Sequence, residues 1–387
     1  MGLIGSIMSL PSVIVFFAAW VILSLSWPFL LASLFAAMFH PAALARKTDL
    51  LSTTVRYLTM CNDKKWKNPQ EDPASFFPDN TIGDVDRKTI IFVRHGESTW
   101  NDTFNRGDRS VQAFAMQFLP GLVKALFMEW FFFVKGRSNE SWFYDAPLSD
   151  KGLRQAEGVR RFLAEDLKYK PPREAQLIRI MLGQHAPNAA DDTNTGDEQD
   201  MKKKKKTRPS SQLVSSNLRR AISTTVVGFQ DRLQQQMDGD KIQLWPQLQE
   251  ISRNPDALSI TPSQGKVITS WTDPPELERI FAQQIDTSFH KGNKPVGSNG
   301  LLRMQSFCRA VFHDTDHENL VVAGHSLWFR SFFRTYLPYG LEHVSKKRKL
   351  MNGGCVGFDL MRVKDDKTGQ EHYMIDSKTI TVLYGGF

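Results

Sequence analysis

The sequence predicts an α/β fold: a three-layer sandwich with a mostly parallel central sheet and helices on both faces, preceded by an N-terminal transmembrane segment. Three observations carry this expectation. Short apolar, β-branched runs at residues 89–93, 213–215, 242–245 and 319–324 alternate with helix-length segments at 151–167, 218–237, 300–312 and 326–337, the pattern of strands joined by covering helices. Residues 87–387 are a stretch long enough for one well-buried domain. No Asp, Glu, Lys or Arg occurs before Arg46, and residues 11–39 are almost wholly apolar.

That apolar run, taken as one helix, would exceed a hydrocarbon core of ~30 Å. It is too long for a signal-peptide core and lacks a basic leader, so a retained anchor over residues 1–45 is expected. Pro28 leaves two forms open, a kinked single pass or a re-entrant hairpin. Arg46, Lys47, Arg56, Lys64, Lys65 and Lys67 follow the run, which places the rest of the chain on the cytoplasmic side. The opening Met1-Gly2-Leu3-Ile4-Gly5-Ser6 also fits a loose myristoylation pattern, a coincidence if the anchor is present. Residues 46–86, polar and carrying Pro69, Pro73 and Pro78, read as a tether. The domain at 87–387 then carries two insertions, 102–144 and 188–209.

Within the domain, the strand ends carry the chemistry. Thr89-Ile90-Ile91-Phe92-Val93 stops at Arg94-His95-Gly96, delivering a histidine, a guanidinium and a close-approach glycine to the carboxyl end of a buried strand, where ligand crevices form. Leu213-Val214-Ser215 runs into Ser216-Asn217-Leu218-Arg219-Arg220-Ala221 and a helix. Glu250 follows the strand at 242–245, and Asn319-Leu320-Val321-Val322-Ala323 ends in Gly324-His325-Ser326. A helix start is marked by Asp145-Ala146-Pro147-Leu148-Ser149-Asp150-Lys151-Gly152 with Gln155-Ala156. The strand ends thus supply His, Arg, Glu and His in chain order.

These five motifs, running in order from about Lys88 to about Leu360, resemble the histidine phosphatase superfamily, the phosphoglycerate mutase-like proteins with an Arg-His-Gly signature. The resemblance implies a phosphomonoester hydrolase working through phosphohistidine at His95, without metal or cofactor. Arg94 and Arg220 would fork onto phosphoryl oxygens, with Asn101, His325 and Ser326 also contacting the phosphate. His325 would stabilise developing charge, and Glu250 would act as general acid. A phosphoglycerate-type mutase and a catalytically inactive membrane-bound scaffold are the alternatives on the same fold. The substrate class stays open among sugar phosphates, phosphoproteins and lipid phosphates.

The remaining features carry blander expectations. Family register selects Arg220 over Arg219, which then reads as a solvated or substrate-side charge. His313, Asp314, Asp316 and His317 read as a solvated helix end rather than metal ligands. Cys61, Cys308 and Cys355 are odd in number and widely spaced, so neither a disulfide framework nor a thiolate metal site is indicated. The first insertion carries Phe114, Phe118, Leu122, Leu126 and Trp130-Phe131-Phe132-Phe133 near helical spacing, either a lid helix packed on the domain or an element lying on the bilayer. The second is acidic and then basic at Lys202 to Lys206, a solvated loop that anionic lipid would attract. The net charge of +8 suits a membrane surface or an anionic phosphate substrate and does not by itself indicate nucleic acid.

Overall fold

Strand β1 (Asp86–Arg94) lies in the middle of a mixed seven-stranded sheet of order β4-β3-β2-β5-β1-β6-β7. The structure is a computed structural model and describes residues 26–77, 85–107, 109–185, 209–235, 239–365 and 368–387. Strands β2 (Gln212–Ser215), β3 (Ile242–Leu244), β4 (Ile285–Asp286) and β5 (Asn319–Gly324) run parallel to β1, whereas β6 (Cys355–Lys364) and β7 (Glu371–Tyr384) close the sheet as an antiparallel hairpin. Successive strand side chains point to opposite faces, so Ile91, Val93, Leu213 and Val321 enter one core while Ile90, Phe92, Val214, Leu320 and Val322 enter the other. Helices cover both. On the first face lie α5 (Asp150–Leu163), α6 (Pro172–Met181) and α7 (Arg219–Gly228), and on the second α10 (Gly300–His313) and α11 (Ser326–Tyr336).

The second core is aromatic. Phe92 stacks on Phe329 at 4.1 Å between centroids and meets Trp328, Phe332, Phe333 and Phe358 edge-on, the offset and T-shaped arrangements that the ring quadrupole favours. This cluster fixes α11, and with it the residue just before that helix, against β1.

Sequence-based boundaries hold within a few residues for β1, β2, β3 and β5 and for α5, α10 and α11, while β4 was not expected. The helix expected at 218–237 is divided: α7 ends at Gly228 and a short α8 (Gln230–Gln234) resumes after Phe229. The β6–β7 hairpin and α6 were not anticipated.

The N-terminal region departs most from expectation. Helix α1 (Ser26–Phe39) meets α2 (Pro41–Met60) at a 103° bend, so among the described residues a break lies at His40, while Pro28 stands in the first turn described of α1. Proline at the first position of α2 lacks an N–H and disfavours helical backbone in the residue before it, and His40 sits at φ −125, ψ 57. Residues 11–25, the rest of the expected anchor, lie outside the described residues, as do the Met1-Gly2 pattern and residues 188–208 of the second insertion.

The stretch expected as a polar tether is instead docked. Tyr57 and Cys61 pack with Leu258, Asp63 is buried in ion pairs with Lys294 and Arg303, the Tyr339 N–H donates to Asp72, and Phe76 stacks on His372. Its polar composition misled because its buried partners lie more than two hundred residues away in sequence.

After the short α3 (Thr99–Phe104), the first insertion forms α4 (Val111–Val134). Among the described residues it is the single helix long and apolar enough to cross a membrane, while α1 and α2 pass that test only as a bent pair. Its two ends differ. Phe132 is fully buried against Trp271, and Trp130 donates to Ser33 at 3.1 Å and meets Phe29 edge-on, joining α4 to α1. Toward the N-terminus Leu119 (65%), Val123 (59%) and Phe127 (49%) are exposed.

The loop carrying the first histidine is braced by close glycine contact. A Cβ on Gly96 would lie 2.3 Å from the Gly152 carbonyl oxygen, and one on Gly152 would lie 2.0 Å from that of Glu97. Ser149 caps the same helix by accepting from the Gly152 N–H, and Gln155 accepts from the Glu97 N–H at 2.8 Å. The Ser-x-x-Gly-x-x-Gln spacing therefore buttresses residues 96–98. Gly152→Ala is expected to push this loop off α5 and cost several kcal/mol, as overpacking against backbone does at its upper range (~3 kcal/mol); chemical denaturation measures it, and a loss under ~1 kcal/mol would show the contact to be yielding.

Candidate functional site

The parallel register brings the strand ends together. Val93 pairs with Ala323 and Arg94 with Gly324, so the next residues, His95 and His325, emerge side by side with ring centroids 4.9 Å apart. Ser215 also pairs with Ala323, which sets the Ser216 hydroxyl 2.8 Å from His325 Nε2. This is the carboxyl edge of adjacent parallel strands, where open α/β sheets gather ligand-binding groups.

His95 Nδ1 lies 2.5 Å from the Gly96 carbonyl oxygen. A carbonyl only accepts, so Nδ1 carries the proton and Nε2 keeps its lone pair. The Asn352 amide donates to the His95 carbonyl at 3.0 Å, fixing the backbone. Both rings are buried. Burial above all, then the charges of Arg220 and Arg94, holds His95 well below the usual histidine range. His325 is lowered likewise by burial, then by Arg220, His95, Lys294 and Arg94. Its Nδ1 is buried without a hydrogen-bond partner among the described residues.

Arg220, at the start of α7, is buried. Its Nη1 donates to the Asp256 carbonyl at 2.5 Å and Nη2 lies 3.4 Å from Asp256 Oδ2, while Nε has no hydrogen-bond partner among the described residues. Burial raises the Asp256 carboxyl, which Arg220 opposes and the nearby Glu250 reinforces. Sequence reasoning missed Asp256. Its signal was weak, since it lies in a short turn, Pro255–Ala257, and belongs to none of the five motifs. Arg94 donates to the Leu350 carbonyl at 2.5 Å.

Glu250 is nearly buried, and its carboxylate accepts from the backbone N–H groups of Ile251 (2.8 Å), Trp328 (3.1 Å) and Leu327 (3.3 Å). It thus faces the N-terminus of α11, where Ser326 is the first residue, and stands beside the residues flanking His325. Asn101, on α3, accepts from the Asn105 amide at 2.6 Å through its Oδ1, a contact local to the helix.

Arg219 corrects an expectation. It is buried, not solvated: its backbone N–H donates to Asp145, and its guanidinium reaches the Asp145 carbonyl and Glu140. It ties the return of the first insertion to the start of α7. Of the metal-like cluster, His313 closes α10 beside Glu371 at 2.8 Å. Among the described residues no group of three or more His, Cys, Asp or Glu is placed to hold a metal ion.

No family model and no curated protein matches the chain. Solved structures similar to it include a mycobacterial glucosyl-3-phosphoglycerate phosphatase complexed with VO3, at 12% identity over 75% of this chain and 97% of that one, TM-score 0.32. A phosphoserine phosphatase from Entamoeba histolytica in complex with phosphoserine is 13% identical over 75% and 95%, TM-score 0.30. The alpha-ribazole phosphatase from Shigella flexneri is 11% identical over 74% and 94%, TM-score 0.30. At such scores the likeness carries no argument for this chain, and its chemistry rests on the geometry above.

The buried histidines give the fold a pH dependence of defined sign. In the unfolded chain they titrate near ~6.5, and in the folded protein lower, so below ~6.5 the unfolded state binds more protons and gains. Stability should be full above that pH and decline as the solution is acidified toward 5. Denaturation midpoints measured between pH 7.5 and 5 should fall, and less steeply for His95→Gln; identical slopes would place protonation elsewhere.

Proposed function

We propose that the chain is a phosphomonoester hydrolase of the histidine phosphatase type, with His95 as nucleophile. The observation that carries this is the His95–His325 pair at 4.9 Å, within reach of the charges of the buried Arg220 and of Arg94, with His95 Nδ1 tied to a carbonyl. Phosphoryl transfer asks mainly for in-line positioning and neutralisation of the equatorial oxygens, and this arrangement offers both.

In the first step His95 Nε2 attacks phosphorus, the bond to the leaving oxygen breaks, and Glu250 supplies the proton to that alkoxide. Water then attacks the phosphoimidazole, returns a proton to Glu250 and releases inorganic phosphate. Arg94 and the unpartnered Nε edge of Arg220 face the oxygens. Burial first, and then Arg220 and the other nearby cations, lower the His325 proton affinity; a phosphate dianion would offset those charges, raise the basicity of that ring and let it stabilise the transferring group. Asn101 and Ser326 complete the phosphate contacts in this reading.

Rapid quench with labelled phosphate ester should trap an acid-labile, base-stable label on the wild type and none on His95→Ala. Release of inorganic phosphate marks hydrolysis, whereas label passed to a second hydroxyl marks a mutase. Undiminished labelling of His95→Ala would end the assignment.

The same protein is proposed to sit on a membrane through α1 and α4, with its catalytic domain on the cytoplasmic side of the basic residues from Arg46 to Lys67. Exposed apolar side chains on both helices are what a bilayer would cover. Replacing Leu119, Val123 and Phe127 together with serine should weaken flotation of the full chain with liposomes while leaving its melting temperature within ~2 °C, because exposed positions contribute little to folding. A clear fall in melting temperature with unchanged flotation would make α4 a packed lid.

A further inference from the structure

We infer that Asp63, Lys294 and Arg303 form a brace that positions Glu250 for proton transfer, so that the segment following α2 is part of the catalytic apparatus; this rests on the assignment of Glu250 as general acid. All three side chains are buried. Lys294 Nζ donates to Asp63 Oδ2 at 2.6 Å, and Arg303 Nη2 donates to Asp63 Oδ1 at 2.5 Å. The other donors are aimed at one short stretch of backbone. Lys294 Nζ reaches the Glu250 carbonyl at 2.6 Å and that of Ser252, and Arg303 Nη1 reaches the carbonyls of Gln249 and, at 3.3 Å, Gln247. The Lys294 N–H donates to the Gln249 side chain at 2.9 Å.

An ion triad that only stabilised the fold would have no need to direct its donors to four carbonyls within residues 247–252, the stretch that carries a single candidate acid. Here Lys294 holds the Glu250 carbonyl and Arg303 that of the residue before it, while the α11 N–H groups hold the Glu250 carboxylate. Asp63 keeps the cations aligned, because one carboxylate bridging two buried cations fixes both donor directions. The Gly300 N–H donates to the Asp63 carbonyl at 3.0 Å, and the Tyr57 hydroxyl, from α2, donates to the Lys294 carbonyl. A displacement of about 1 Å at a proton donor can cost ~10²-fold in rate, so slack in this brace falls on the step that protonates the leaving group.

The readout is the leaving-group dependence, which a loss of stability does not alter. Full-length protein is assayed on glycerol phosphate, whose alkoxide needs a proton, and on nitrophenyl phosphate, whose phenolate does not. Glu250→Gln sets the reference and should slow the alkyl ester ~10²-fold more than the aryl ester. Lys294→Met should show the same bias, by ~10-fold or more, whereas Arg232→Met, which breaks the buried Arg232–Asp240 pair elsewhere, should lower stability with no bias. Equal losses on both esters for Lys294→Met overturn the brace. If Lys294→Met does not fold, Tyr57→Phe decides: a bias of ~3-fold or more in the same direction supports the brace and none refutes it. Should Glu250→Gln itself show no bias, the acid assignment fails and the brace with it; a bias in Glu250→Gln without one in the brace variant sinks the brace alone.

Discussion

Two guanidinium groups packed beside two buried imidazoles set the terms for the rest of this molecule. Burial above all, and then Arg220 and Arg94, lower the proton affinity of both His95 and His325, and the Asp256 carboxyl beside Arg220 is itself pushed toward its neutral form by burial, against Arg220 and with Glu250. Cations concentrated in a low-dielectric interior are tolerable only where the fold holds them rigidly or an anion answers them. The surrounding structure does the holding: Leu350 and Asp256 receive the guanidinium groups, Gly96 receives the His95 proton, and Ser216 meets His325. In the proposed phosphomonoester hydrolase such a site would be prepared for a dianion before one arrives, the economy expected where catalysis consists of positioning and charge.

How much of this was legible in the sequence depended on how local its physical cause is. β5 and α10 could be bounded within a residue, since an unbroken apolar run and an amphipathic repeat each announce themselves over a few turns. His95, Arg220, Glu250 and His325 could be gathered because each follows a parallel strand, and parallel strands deliver their ends to one edge. The β6–β7 hairpin escaped because it bears none of the chemistry that drew attention to the other strands. Arg219 reads from the sequence as a solvated or substrate-side charge because nothing near it in the chain marks it as buried; its partners Asp145 and Glu140 come from the return of the first insertion.

Insertions and terminal segments were the least legible, and the reason is the same in each. α4 reads from its composition as either core or membrane element, and it is divided: its C-terminal turn is locked into the domain by Phe132 and Trp130 while its N-terminal half presents apolar side chains outward. Hydropathy averages over both. Residues 46–86 read from composition as a polar tether, yet a buried charge is polar too, and Asp63 becomes structural only when Lys294 and Arg303 arrive from the far end of the chain.

That last point changes what a minimal domain is. Sequence patterning starts the folded unit at about Arg87, where the strand begins, but cutting there would leave the ammonium of Lys294 and the guanidinium of Arg303 buried without their shared carboxylate, a loss of several kcal/mol where a buried pair is broken (~3–5 kcal/mol). The same cut would remove the Tyr57 hydroxyl from the Lys294 carbonyl and the α1 contacts from Trp130. The segment that joins the apolar N-terminus to the domain is therefore continuous with the support of Glu250, and the bend at His40 is the point where the outward-facing apolar helix ends and the supporting one begins.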